Sequence, residues 1–160
     1  YKRQILEPAK IPVNMAGSSV IDAPLVVDEK VYHVTCVSMG NPHCVIFFNE
    51  DDVDDLDLSR LGPKFEHHPL FPERINTEFV NVLPDGSLKM RVWERGSGET
   101  WACGTGACAA VVAAVENGLC PKGETITVKV TGGDLLVTYD DDGVRLTGNA
   151  ELAFTGVTTY

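Results

Sequence analysis

The chain has 160 residues, 44% of them hydrophobic and 22% charged, the size and balance of a single globular domain with its own core. Its net charge of −10, with no basic run, excludes a surface built to neutralise phosphates, so no nucleic-acid partner is expected. No stretch approaches the ~18 apolar residues that cross a bilayer, and no membrane role is expected.

Residues 1–13 read as a segment entering the domain, with Pro8 and Pro12 discouraging a helix. Strands are predicted over 20–27 and 30–38, joined by a hairpin turn at Asp28-Glu29, and over 44–48. Asp51-Asp52-Val53-Asp54-Asp55 follows as an acidic loop. Like Asp140-Asp141-Asp142, it reads as a solvated turn, without the spaced oxygens and closing Glu of an EF-hand calcium loop. Residues 57–66 have helical spacing at Leu58, Leu61 and Phe65, opposed by Gly62-Pro63. A hairpin over 75–83 and 88–93 turns at Pro84-Asp85-Gly86. The strongest helix spans 104–116; Ala and Val on every side predict that it is buried all round, and Asn117-Gly118 stops it. Strands follow over 125–131, 134–139 and 144–147, and 150–158 alternates as a last one. Many strands and one dominant apolar helix predict an α+β domain whose mostly antiparallel sheet curls about that helix.

The most informative stretch runs from Trp93 to Cys108. It sets Cys103 on a Gly-rich turn at the start of the buried helix, with Glu94-Arg95 upstream at a strand end. Helix-start N–H groups and their partial positive charge favour a thiolate at Cys103, and the same groups can hold a carboxylate beside the sulfur. Taking the α-proton from an amino acid without a cofactor needs a base within reach and fixed donors for the developing charge. Cys103 supplies the base, and the Gly104 and Thr105 amides supply the donors. The plain alternative for Cys103 is a small buried packing residue. Packing is the preferred reading for Cys108, and Cys36, Cys44 and Cys120 read as packing or surface residues. Five cysteines, an odd number with no secretory leader, point to reduced thiols in the cytosol. A zinc site from Cys36, His43, Cys44, His67 and His68 matches no standard spacing, so no metal is expected. Arg95 suits a bidentate grip on a carboxylate, its alternative being an exposed ion pair with Glu94.

Glu94-Arg95-Gly96-Ser97-Gly98-Glu99-Thr100 followed by Ala102-Cys103-Gly104-Thr105-Gly106 resembles the second catalytic segment of diaminopimelate epimerases. Three more matches fall in that family's order: Glu7-Pro8-Ala9-Lys10-Ile11-Pro12, Met39-Gly40-Asn41-Pro42-His43-Cys44-Val45 and Phe71-Pro72-Glu73-Arg74-Ile75-Asn76. The resemblance spans nearly the whole chain. It implies a β-barrel around a central helix, and cofactor-independent interconversion of LL- and meso-diaminopimelate in lysine and peptidoglycan precursor synthesis. Two cysteines would act as acid and base, Cys103 being one, with Glu94 and His43 supporting catalysis. Substrate would be held by Asn41, Asn76, Glu94, Arg95, Gly104 and Thr105, while Glu99 and Thr100 read as loop support. The family's first-half Cys-Gly-Asn-Gly motif has no match, since Cys103-Gly104 is the sole Cys-Gly pair. With the opening Tyr1-Lys2-Arg3, this implies the second domain of a longer enzyme, its strand at 150–160 returning towards a missing N-terminal domain. That domain and diaminopimelate are the expected partners, with a homodimer pairing two Cys103 thiols as a further arrangement. The isolated chain is expected to be inactive, and the location cytoplasmic, or plastid in a plant. Rivals are a proline racemase-like isomerase, a non-catalytic binding domain and a cysteine hydrolase using His43.

Overall fold

The computed structural model describes residues 3–150 and 152–158. Asp28 and Glu29, with φ of 51° and 63°, adopt the left-handed pair that a two-residue hairpin requires. They join β1 (Ala23–Val27) to β2 (Lys30–Ser38), and β3 (Pro42–Phe47) lies antiparallel to β2. β4 (Asn76–Val82) runs parallel to β3, so the chain must cross over between them, and it does so through α1 (Leu58–Glu66). β5 (Leu88–Glu94) returns antiparallel to β4, and the short β6 (Gly98–Thr100), absent from the sequence reading, folds back on β5. A second crossover, α2 (Gly104–Glu116), leads to β7 (Thr125–Val130), parallel to β5. β8 (Gly133–Asp140) and β9 (Gly143–Thr147) complete an antiparallel meander. The segment before β1 holds a short 3-10 turn, Pro8–Lys10, where no helix was expected; proline at its first position gives up a donor that is unused there.

Alternation along the strands divides the interior in two. Val37, Val45 and Val80 face a core built on α2, while their neighbours Cys36, Cys44, Ile46 and Phe79 face a second core with Leu58 and Phe65 of α1. The two helices therefore cover the two sides of the sheet. α2 packs against β2 to β5 and β7 to β9, which accounts for its burial over Gly106–Ala114.

The expected barrel does not form. Among the described residues the nine strands make one open sheet with β1 and β9 as its unjoined ends, although six of the eight pairings are antiparallel as expected. The sheet curls about α2, which it touches from β2 to β5 and from β7 to β9, but no ladder joins β1 to β9. The predicted last strand is also absent. Residues 152–158 carry no strand, and Leu152, Phe154 and Val157 are exposed; residues 151, 159 and 160 lie outside the described residues.

α1 forms despite Pro63 because Asp57 caps it, accepting the Arg60 N–H at 3.2 Å, and because Leu58 and Phe65 are buried. Gly62 is required for a different reason: a Cβ there would lie 2.2 Å from the Trp93 ring. That ring is pinned by its own N–H bond to Glu66 Oε2 at 2.7 Å. Gly62→Ala is expected to destabilise the fold by about 3 kcal/mol. Thermal melting should then fall by roughly 2–4 °C per kcal/mol; an unchanged melting temperature would show that Trp93 moves aside freely.

Candidate active site

Cys103 is the N-cap of α2, in extended conformation (φ −131°), and its Sγ accepts the Gly106 N–H at 3.3 Å. The Thr105 hydroxyl lies 3.6 Å from the same sulfur. As first-turn amides, Gly104 and Thr105 have no helical carbonyl to donate to. All three residues line a cleft of about 500 Å3, with Glu94 on its wall and Val144 and Leu146 of β9 bounding it. Cys108, read as packing, also lines this cleft from α2, on the same helix as Cys103. A hollow of about 570 Å3 over β2 and β3, near Tyr32 and Asp51, contains none of the candidate residues.

Burial pushes the Cys103 thiol up, as would a charge on Glu78, with a smaller push from Glu94; bonds to Thr105 and Gly106 pull it down. The balance is opposite to the thiolate expected from the helix start alone.

Behind the sulfur lies a line of polar groups. Asn41 Nδ2 donates to Thr105 Oγ1 at 3.2 Å, and His43 Nε2 lies 3.0 Å from Asn41 Oδ1. His43 Nδ1 sits 2.7 Å from Glu78 Oε1, both side chains fully buried. His43 therefore reaches Cys103 only through Asn41 and Thr105, and no imidazole bonds the sulfur as the hydrolase reading requires.

The Glu94-Arg95 pair sits where β5 turns into β6, a hairpin relaxed by Gly96 and Gly98 at φ 81° and 80°. Glu94 Oε1 accepts the Thr100 hydroxyl at 2.5 Å, which holds it towards the cleft. Glu99 is bound by Arg91 Nε at 2.8 Å. Arg95 donates from Nη1 to the Glu73 carbonyl at 3.0 Å and does not line the cleft. Asn76 is buried, its Nδ2 donating to the Pro42 carbonyl at 2.7 Å and its Oδ1 accepting the Arg95 N–H at 2.9 Å. The structure thus gathers Cys103, Gly104, Thr105 and Glu94 at the cleft. Asn41 and His43 stand behind it, and Asn76 and Arg95 to one side.

The zinc alternative finds no support in this geometry. His43 is taken by Glu78 and Asn41, His68 Nε2 by the Val26 carbonyl, and among the described residues no three His, Cys, Asp or Glu side chains cluster for a metal. Asp52 and Asp54 of the acidic loop are occupied by Lys89.

The family model described as diaminopimelate epimerase matches residues 35–153. The chain belongs to the diaminopimelate epimerase family. The diaminopimelate epimerase of Acetivibrio thermocellus is 51% identical over 154 residues, covering 95% of this chain and 54% of that protein. A chloroplastic diaminopimelate epimerase from Oryza sativa subsp. japonica is 52% identical over 155 residues, covering 93% of this chain and 43% of that one. The chain spans about half the length of the curated relatives it matches. In fold it is similar to a probable proline racemase from Agrobacterium radiobacter with bound carbonate. That likeness has a TM-score of 0.58 at 14% identity, over 75% of this chain and 41% of the other.

Within this diaminopimelate epimerase-family site, two carboxylates escaped the sequence reading. Glu78 is one. Its signal is a charged residue in a strand whose neighbours Phe79 and Val80 are buried on opposite faces, where an acid needs a partner. Glu66 is the other: it accepts from Gly96 N at 2.9 Å, Arg74 Nη1 at 3.0 Å and Trp93 Nε1 at 2.7 Å, fixing the turn that presents Arg95. These donors hold its carboxyl below the usual range despite burial.

Proposed function

We propose that the chain is the second half of an enzyme that interconverts LL- and meso-diaminopimelate without a cofactor, serving lysine and peptidoglycan precursor synthesis. The observation that carries this reading is Cys103 capping a buried helix on the wall of a cleft, beside first-turn amides free of helical partners. In this proposal the substrate α-carboxylate sits on the Gly104 and Thr105 amides, which bring fixed positive ends to the charge that develops when the α-proton leaves. As a thiol Cys103 gives a proton to one face of the α-carbon in one direction, and as a thiolate it receives one in the other. Cys108 projects from the same helix as Cys103, so it does not serve the opposite face. That second thiol comes from a preceding domain, with a pair of Cys103 thiols in a homodimer as the other arrangement. Glu94 binds and orients the amino-acid group, with Asn41, Asn76 and Arg95 recognising the distal end and His43 acting through Asn41. The working compartment is the cytosol, or the plastid in a plant.

The test is to incubate the full-length enzyme with LL-diaminopimelate in deuterium oxide. One deuterium at the inverted α-carbon is expected, and an acyl-enzyme or unlabelled product would overturn the reading. The 160-residue chain alone should give no turnover; measurable inversion by it would remove the need for a second domain.

A further inference from the structure

The mechanism above uses Cys103 and its immediate neighbours but leaves a fully buried carboxylate unexplained. Glu78 Oε1 lies 2.7 Å from His43 Nδ1, while Glu78 Oε2 has no hydrogen-bond partner among the described residues. A bare carboxylate with one oxygen unsatisfied is a costly thing to bury. Its place is tightly defined: a Cβ on Gly106 would come within 2.7 Å of Oε1 and 3.2 Å of Cys103 Sγ, so glycine leaves the carboxyl against the first turn of α2.

The directions of the bonds assign the proton. Asn41 gives its N–H to Thr105, so its oxygen faces His43, and His43 Nε2 must carry hydrogen. Between Nδ1 and Glu78 Oε1 one further proton is shared, and the pair has no net charge whichever atom holds it. Thr105 Oγ1, already accepting from Asn41, has its own hydrogen free to point at Cys103 Sγ, 3.6 Å away. Every donor in the line points the same way. We propose that Glu78 is a positioning residue for Cys103: the proton it shares with His43 fixes a one-way chain of donors, through Asn41 and Thr105, that ends on the sulfur. The inference rests on reading Cys103 as the acid–base thiol. It adds that the Thr105 hydroxyl is kept as a donor to the thiolate by a carboxyl on another strand. Without that proton His43 can place its hydrogen on Nδ1, Asn41 turns over, and Thr105 donates to the amide oxygen instead of the sulfur.

The ionisable groups around Cys103 are Glu78 on β4, His43 on β3, Glu94 at the end of β5 and Cys108 on α2. The test follows iodoacetamide alkylation of Cys103 against pH, resolved by mass spectrometry, in the intact 160-residue chain and its variants. Glu78→Gln can donate its amide N–H to Nδ1, so it should preserve the chain and keep the wild-type midpoint. Glu78→Met and Thr105→Val should both move the midpoint to higher pH and slow alkylation near neutrality about tenfold, the cost of one donor to a charged sulfur. The double variant should go no further than Thr105→Val alone. If Glu78 acts instead as a simple negative charge, Gln and Met both move the midpoint to lower pH, which overturns the proposal. Unchanged midpoints in all variants overturn it too. Should Glu78→Met not fold, nitrogen-15 shifts of His43 in the wild-type chain decide: hydrogen on Nε2 supports the chain, and a bare Nε2 ends it. Neither readout involves diaminopimelate, so failure here is distinguishable from failure of the epimerase reading.

Discussion

Cys103→Ser in the full-length enzyme should lower kcat for diaminopimelate inversion by about 10³-fold or more while leaving the fold intact. Serine is among the best N-cap residues, so the bond from Gly106 N–H, now made to sulfur at 3.3 Å, has a good replacement. What is lost is acidity: a hydroxyl ionises far less readily than a thiol, and a positioned acid–base group contributes about 10²–10⁴-fold. Paired measurements separate the two effects. Circular dichroism melting should be unchanged or slightly raised, and proton NMR of the inverting α-carbon should show almost no turnover. A serine variant retaining a tenth of the wild-type rate would remove Cys103 from the chemistry.

Arg95→Met should raise KM for diaminopimelate about a hundredfold, with a smaller effect on kcat. Two charge-assisted hydrogen bonds from a guanidinium to the distal carboxylate are worth about that much once desolvation is counted. In the chain as it stands one guanidinium nitrogen donates to the Glu73 carbonyl at 3.0 Å, while Asn76 grips the Arg95 backbone. The turn is set in advance by the Asn76 bond, which methionine leaves in place, although it gives up the bond to Glu73. The control is an amino acid with one carboxylate, whose weak binding the substitution should not change. An unchanged KM for diaminopimelate would detach Arg95 from recognition and bring a proline racemase-like substrate back into consideration.

How much of this was legible in the sequence depended on the range of the interaction. β2 at Lys30–Ser38 and α2 at Gly104–Glu116 match the residues expected, because hairpin turn chemistry and an all-apolar run act locally. β6 was missed because three residues around Gly98 carry no strand pattern of their own and pair only because β5 is alongside. Barrel closure was misjudged for a similar reason. Closure depends on whether β1 and β9 pair, and strands so far apart in the chain carry no local signal of that. Within the site, Cys103 and Glu94 were found because they lie in one contiguous motif. Glu78 was not, since its partner His43 is 35 residues away and on a different strand.

The route by which α2 is reached has a consequence for how the site is acquired. The helix is the crossover of a parallel pair in which Leu88 meets Val128, so its position is set only when segments 40 residues apart have joined. Non-local pairing of this kind is slow to form because chain entropy is spent before contacts repay it. The Cys103 cleft, bounded also by Leu146 from the last strand, is therefore among the final features to mature. During refolding, helical signal should recover well before the thiol acquires its native reactivity. A chain arrested before β7 docks would carry every motif residue and no site.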